Sequence, residues 1–104
     1  MEGWMYILFC ADGSYYTGST NNLRRRFFQH ARGEGANHTK KRLPVKLVYC
    51  EHFNHVALAF KREKQVQKWR REKKELLLRG RDKQLPLKSM AYRDLYVLVD
   101  DPEK

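Results

Sequence analysis

Arg26 and His30 stand four residues apart in "LRRRFFQH", and Glu63 stands inside the apolar stripe of a later segment. Side chains three, four and seven positions apart share one face of a helix. Leu23 and Phe27 define the face of the earlier segment that must pack, and Arg26 and His30 fall three and seven positions after Leu23 on that face. Arg24, Arg25 and Gln29 point elsewhere. Glu63 follows Val56 by seven, Ala59 by four and Phe60 by three, and precedes Val66 by three. Lys61, Arg62 and Lys64 adjoin it but are expected to face away. A carboxylate in such a stripe is costly unless a cation meets it. Tyr6 and Tyr16, ten residues apart across a turn, add two phenols. Together these are groups that bind an anion and move a proton. If they converge on one cleft, the surrounding lysines and arginines would draw in a phosphate backbone. The alternative is internal: Glu63 pairs with Arg26 and locks two helices to a sheet.

The elements that must position these residues are legible from periodicity. Residues 4–10, "WMYILFC", read as a strand buried on both faces. Asp12-Gly13 then signals a hairpin, and residues 15–19 return as a second strand. Thr20, Asn21 and Asn22 offer caps for a helix from Leu23 to about Arg32, ended by Gly33-Glu34-Gly35. Residues 36–43, "ANHTKKRL", read as a polar, basic connection closed by Pro44. The β-branched and aromatic run 45–53 is the third strand. Asn54 is placed to cap one long helix over about 55–78, with Gly80 as its stop. The order β-β-α-β-α predicts an α+β domain, a small, mainly antiparallel three-stranded sheet flanked by helices. Residues 1–80 carry this domain. Residues 81–104 are expected to pack on it or to mediate self-association, with an apolar stretch at 95–99.

Composition narrows the partners. The 104 residues allow one modest core. Twenty-two Lys and Arg against 12 acids give a net charge of +10 and favour a polyanion. No apolar run approaches the roughly 20 residues needed to cross a bilayer, so no membrane is expected. Cys10 and Cys50 have no histidine near them at zinc spacing and read as buried thiols. A reducing, cytoplasmic setting fits both.

Five elements in order carry a resemblance: Tyr6, then Tyr16-Thr17-Gly18, then Arg26, His30 and a later helix bearing Glu63. With "YILFCADGSYYTGST", "PVKLVY" and "FKREKQVQKW", this arrangement resembles the GIY-YIG nuclease superfamily, and within it the small stand-alone bacterial members. The likeness spans roughly residues 4–78. It implies that Tyr6 and Tyr16 are the signature tyrosines and Gly18 the signature glycine. It further implies that Arg26 contacts phosphate, that His30 takes a position held by histidine or tyrosine, and that Glu63 holds one divalent ion, Mg²⁺ or Mn²⁺. The chain departs from the pattern at Ser19, where some members have lysine, and at Glu75, in the region where some have asparagine.

The implied activity is metal-dependent phosphodiester hydrolysis, with DNA favoured over RNA and a monomer favoured over a weak dimer through 92–99. The alternative is a nucleic-acid-binding module with this fold and little turnover. A structural basic protein of the ribosomal type would leave Glu63 merely paired. Hydrolysis needs a positioned water, a base and neutralised phosphate charge. Arg26 can bind two phosphate oxygens. Tyr6, Tyr16 and His30 all remain open as the base. A phenol of pKa about 10 needs help at neutral pH, and Tyr16 is expected to be the orienting group or the base, with His30 assisting. Arg24, Arg25, Lys40, Lys41, Arg42, Lys68, Arg70 and Arg71 read as phosphate-tracking charge. Trp69 reads as packing.

Overall fold

A computed structural model describes residues 1–80. Three strands form one antiparallel sheet in the order β2-β1-β3: β1 is Gly3–Cys10, β2 Tyr15–Thr20 and β3 Val45–Phe53. The central position of β1 explains its nearly continuous apolar sequence, since helices cover it on both faces. The hairpin closes at Asp12, whose carboxylate accepts from Ser14 N and Ser14 Oγ at 2.9 and 2.6 Å.

Register decides which side chains meet. Tyr6 pairs with Gly18 and Leu8 with Tyr16, so these four share one face. Met5 pairs with Ser19, Ile7 with Thr17 and Phe9 with Tyr15, which places those six on the other. Helix α1 (Leu23–Ala31) packs on the first face through Leu23, Phe27 and His30. Its cap is Asn22, which accepts from Arg25 N at 3.0 Å. Helices α3 (Val56–Gln67) and α4 (Arg71–Arg79) lie against the second face. Cys10 and Cys50 are buried free thiols, and burial pushes Cys50 up to about 11.

Four local expectations change. The connection 36–43 contains a short helix α2 (Asn37–Lys40), formed because Thr39 turns inward and becomes fully buried. The helix expected over 55–78 is two, broken at residues 68–70 where Trp69 packs on the core. The turn there brings Leu77 back into the core, and Gly80 caps the second helix. The cap of α3 is His55, whose Nδ1 accepts from Ala57 N at 3.2 Å, and not Asn54. Within α3, Ala59 and Val66 are buried, whereas Phe60 is 53% exposed and leaves the stripe. Among the described residues no helix is long and apolar enough to cross a membrane. The expectations for 81–104, including an apolar edge at 92–99, lie outside the described residues.

Candidate active site

The site begins with a bare backbone. Gly18 sits directly across from Tyr6, and a Cβ built on Gly18 would lie 2.5 Å from Tyr6 Oη and 3.1 Å from the Tyr16 ring. Any side chain there would displace the phenol. With glycine, the Tyr6 ring lies over β2, its centroid 6.5 Å from that of Tyr16. Tyr6 is buried and Tyr16 half-buried, so Tyr16 is the more accessible of the pair.

His30 closes the group from α1. Its ring centroid is 5.7 Å from Tyr6 and 5.2 Å from Tyr16. Its Nε2 is hydrogen-bonded to Tyr6 Oη at 2.8 Å, and its Nδ1 to Thr39 Oγ1 at 2.8 Å. Gly35 packs so closely over the ring that a Cβ there would overlap Nδ1. The imidazole has no exposed surface, and burial, reinforced by the Arg26 charge, brings its pKa down to about 4. It is therefore neutral at pH 7. Burial also pushes the Tyr6 phenol well above its ordinary value, with the neighbouring Arg26 guanidinium partly opposing it. The chain thus holds a protonated tyrosine against an uncharged histidine.

Arg26 is half-buried beside them, its Nη1 donating to Gln29 Oε1 at 3.0 Å. Glu63 comes from α3, which lies against the opposite face, and it meets the edge strand β2 at Ser19. It is the one buried acid among the described residues, 8% exposed. Its partner is not Arg26. Ser19 Oγ donates to Glu63 Oε1 at 2.6 Å, and Lys64 Nζ lies 3.3 Å from Oε2. Lys64, expected to face away, therefore curls back along α3. In the sequence Ser19 stands out only as a departure from lysine. Its position beside Gly18 and across from Met5 explains its reach to α3.

A divalent ion suits this carboxylate. Among the described residues no three His, Cys, Asp or Glu gather as ligands. An ion would rest on Glu63, with water and phosphate oxygens supplying the other positions, which Mg²⁺ and Mn²⁺ tolerate. The Lys64 contact is with a half-exposed side chain and is readily exchanged.

The basic residues divide into two groups. Arg24, Arg25, Lys40, Lys41, Lys68 and Arg70 are exposed. Arg42 is half-buried and tied down by neighbours, donating from Nε to Asp12 Oδ2 at 2.8 Å and from Nη1 to His38 O at 3.0 Å. Arg71 lies over the Tyr15 ring at 4.7 Å and donates to Gly13 O. Glu75 accepts from Tyr15 Oη at 3.3 Å. Trp69 packs on the core with Arg62 and Lys73 over its ring at 5.1 and 4.4 Å.

The sequence and the fold are shared with known proteins. Residues 2–75 match the GIY-YIG catalytic domain. A UPF0213 protein of Natronomonas pharaonis is 44% identical over 77 residues, covering 74% of this chain and 91% of its own. One from Streptococcus pneumoniae is 41% identical over 85 residues, covering 81% and 86%. The solution NMR structure of a UPF0213 protein from Bacillus halodurans superposes with a TM-score of 0.53 at 40% identity, covering 85% of this chain and 92% of that one.

Proposed function

Because the chain belongs to the GIY-YIG family, whose catalytic domain is that of a nuclease, we propose that it is a divalent-metal-dependent endonuclease acting on DNA in preference to RNA. The observation that carries this is the 2.8 Å hydrogen bond between Tyr6 Oη and the neutral, buried His30, in contact with Tyr16 and close to Arg26. Any buried phenol needs a partner; what sets this pair apart is that Tyr16 and Arg26 gather at the same point.

In this reading the substrate phosphate meets Arg26, whose guanidinium can hold two of its oxygens. Tyr16, at the more open side of the pair, orients the incoming water. As that water attacks phosphorus, it loses a proton to Tyr6 Oη while Tyr6 passes its own proton to His30. The water oxygen keeps its electron pair for the new P–O bond, and the P–O3′ bond breaks. The departing oxygen takes a proton from solvent. Burial keeps His30 unprotonated throughout the neutral range, so its Nε2 lone pair is free to accept, while the same burial makes it a weaker base than an ordinary imidazole. Glu63 would hold a Mg²⁺ or Mn²⁺, whose charge would help offset that of the phosphate and the departing oxygen. Ser19 fixes one oxygen of that carboxylate, and the other is met, among the described residues, only by the half-exposed Lys64.

The test is cleavage of supercoiled plasmid and of flap and fork substrates with Mg²⁺ or Mn²⁺. Wild type should cut. Glu63→Gln, which keeps an oxygen for Ser19, should bind DNA within about threefold of wild type and lose at least about 10²-fold in cleavage. Equal cleavage by the Gln variant would remove Glu63 as the metal residue. Binding without cleavage of any substrate by wild type would leave a nucleic-acid-binding module.

A further inference from the structure

We propose that Thr39 is a positioning residue: through one hydrogen bond it fixes which nitrogen of His30 carries the proton, and so makes Nε2 the acceptor for Tyr6. The proposal rests on the Tyr6–His30 proton path above but concerns a residue outside the five elements that carry the family resemblance. It starts from a backbone carbonyl. Ala36 O can only accept, and Thr39 Oγ1 lies 3.0 Å from it. A threonine hydroxyl has a single hydrogen, which this bond uses. Towards His30 Nδ1, 2.8 Å away, Thr39 Oγ1 can then act only as acceptor, so Nδ1 carries the hydrogen. A neutral imidazole has one N–H, and Nε2 is left with its lone pair facing Tyr6 Oη at 2.8 Å. The hydrogen bonds all run in one direction: Tyr6 to His30, His30 to Thr39, Thr39 to the Ala36 carbonyl.

The packing around the chain suits this role. Thr39 and His30 are both fully buried, so water does not compete for either nitrogen. Gly35 lets the backbone close over the imidazole without a side chain. Helix α2, which brings in Thr39, contributes only four residues. Its Asn37, His38 and Lys40 are all at least partly exposed, and Thr39 is its one buried member. With the opposite tautomer, Nε2–H would point at Tyr6. The phenol would have to turn its hydrogen away, and the step that passes the Tyr6 proton to His30 would have no acceptor.

The tautomer is read directly by long-range ¹H–¹⁵N correlation of the His30 imidazole, on the metal-free full chain at pH 7. Wild type should show Nδ1–H. Thr39→Val, of similar shape without the hydroxyl, should lose that preference and show mixed or Nε2–H imidazole. Thr39→Ser should restore it. On a cleavable substrate, Thr39→Val should lower kcat at least about tenfold with KM within about twofold, and Thr39→Ser should recover most of kcat. Wild-type His30 in the Nε2–H form overturns the proposal whatever the variants do, including a Val variant too unstable to measure. So does Thr39→Val with unchanged tautomer and kcat. An Nδ1–H tautomer lost in Val and restored in Ser, in a protein that cuts nothing, would sustain Thr39's control of His30 while the nuclease reading itself fails.

Discussion

A buried imidazole that stays neutral makes the fold acid-sensitive in a defined window. The folded His30 has a pKa of about 4, against an ordinary value of 6.5. Between those values the unfolded chain binds a proton that the folded chain does not. Stability is therefore fully present above about pH 6.5 and falls as pH drops towards 4, by about 3 kcal/mol in all. Asp12 acts lower. Its hydrogen bonds to Ser14, with Arg42 beside it, hold its carboxyl to about 2, so what it contributes is lost between its ordinary 3.8 and about 2. Urea unfolding at pH 7, 5.5 and 4.5 should show a steep loss in wild type and a flatter one in His30→Gln. Equal slopes would place the acid sensitivity elsewhere. The two phenols also separate at this scale. Tyr6→Phe removes the hydroxyl that meets His30, and should lower kcat at least about 10²-fold, whereas Tyr16→Phe, which leaves the Tyr6–His30 path in place, should lower kcat less. The reverse ranking would make the more exposed Tyr16 the base, one of the two roles the sequence leaves open for it. Gly18→Ala tests the geometry without touching a polar group. The added methyl would fall 2.5 Å from Tyr6 Oη, and overpacking of this kind costs about 1–3 kcal/mol. A variant with wild-type stability and cleavage would show that Tyr6 has room to move.

Elements differ in how plainly the sequence declares them. The strands and α1 are legible because each carries a long apolar signal: period two or unbroken in the sheet, and Leu23, Phe27 and His30 on one helical face. Glu63 is legible for the same reason, since its burial follows from Ala59 and Val66 beside it on α3. Its partner is not. Opposite charge points to Arg26, yet register brings Ser19 to the same sheet face as α3 and leaves Arg26 across the sheet. Helix α2 is silent in the sequence because four mostly polar residues show no period, and Thr39 matters only through its tertiary contact with His30. The break between α3 and α4 is hidden because Lys, Arg and Glu continue through it. The packing of Trp69, not helix propensity, sets the turn. These details alter what the basic connection is expected to do. Lys40 and Lys41 are exposed, but Arg42 ties α2 to the hairpin through Asp12 and the His38 carbonyl. Replacing Lys40 and Lys41 by Ala should weaken binding to all sequences alike and reduce the slope of log K against log salt by about 1–2. Arg42→Ala should leave that slope nearly unchanged and lower the melting temperature instead. An equal loss of slope in both variants would put Arg42 at the phosphate backbone.

At the scale of the whole molecule, size and charge bear on how many strands are cut. The described body measures about 32 × 27 × 27 Å, which covers roughly nine base pairs of duplex at 3.4 Å each. Within it there is one buried carboxylate and one Tyr6–His30 pair among the described residues. One such site acts on one phosphodiester per encounter, because the scissile bond of the second strand faces another direction across the helix. The net charge of +10 favours binding to any duplex and gives no preference for sequence. It also shortens residence as salt rises, so a second cut near the first requires a second, independent arrival. Nicking is therefore the expected outcome. On supercoiled plasmid at moderate salt, open circles should accumulate well before linear molecules, and raising the salt should lengthen that interval. Linear product from the earliest time points, with no open-circle phase, would overturn this and require two active sites acting together. Sedimentation of the protein on a short duplex would then have to show two copies bound. A single copy that still yields immediate linear product would place both cuts in one site and contradict the assignment of one proton path to one strand.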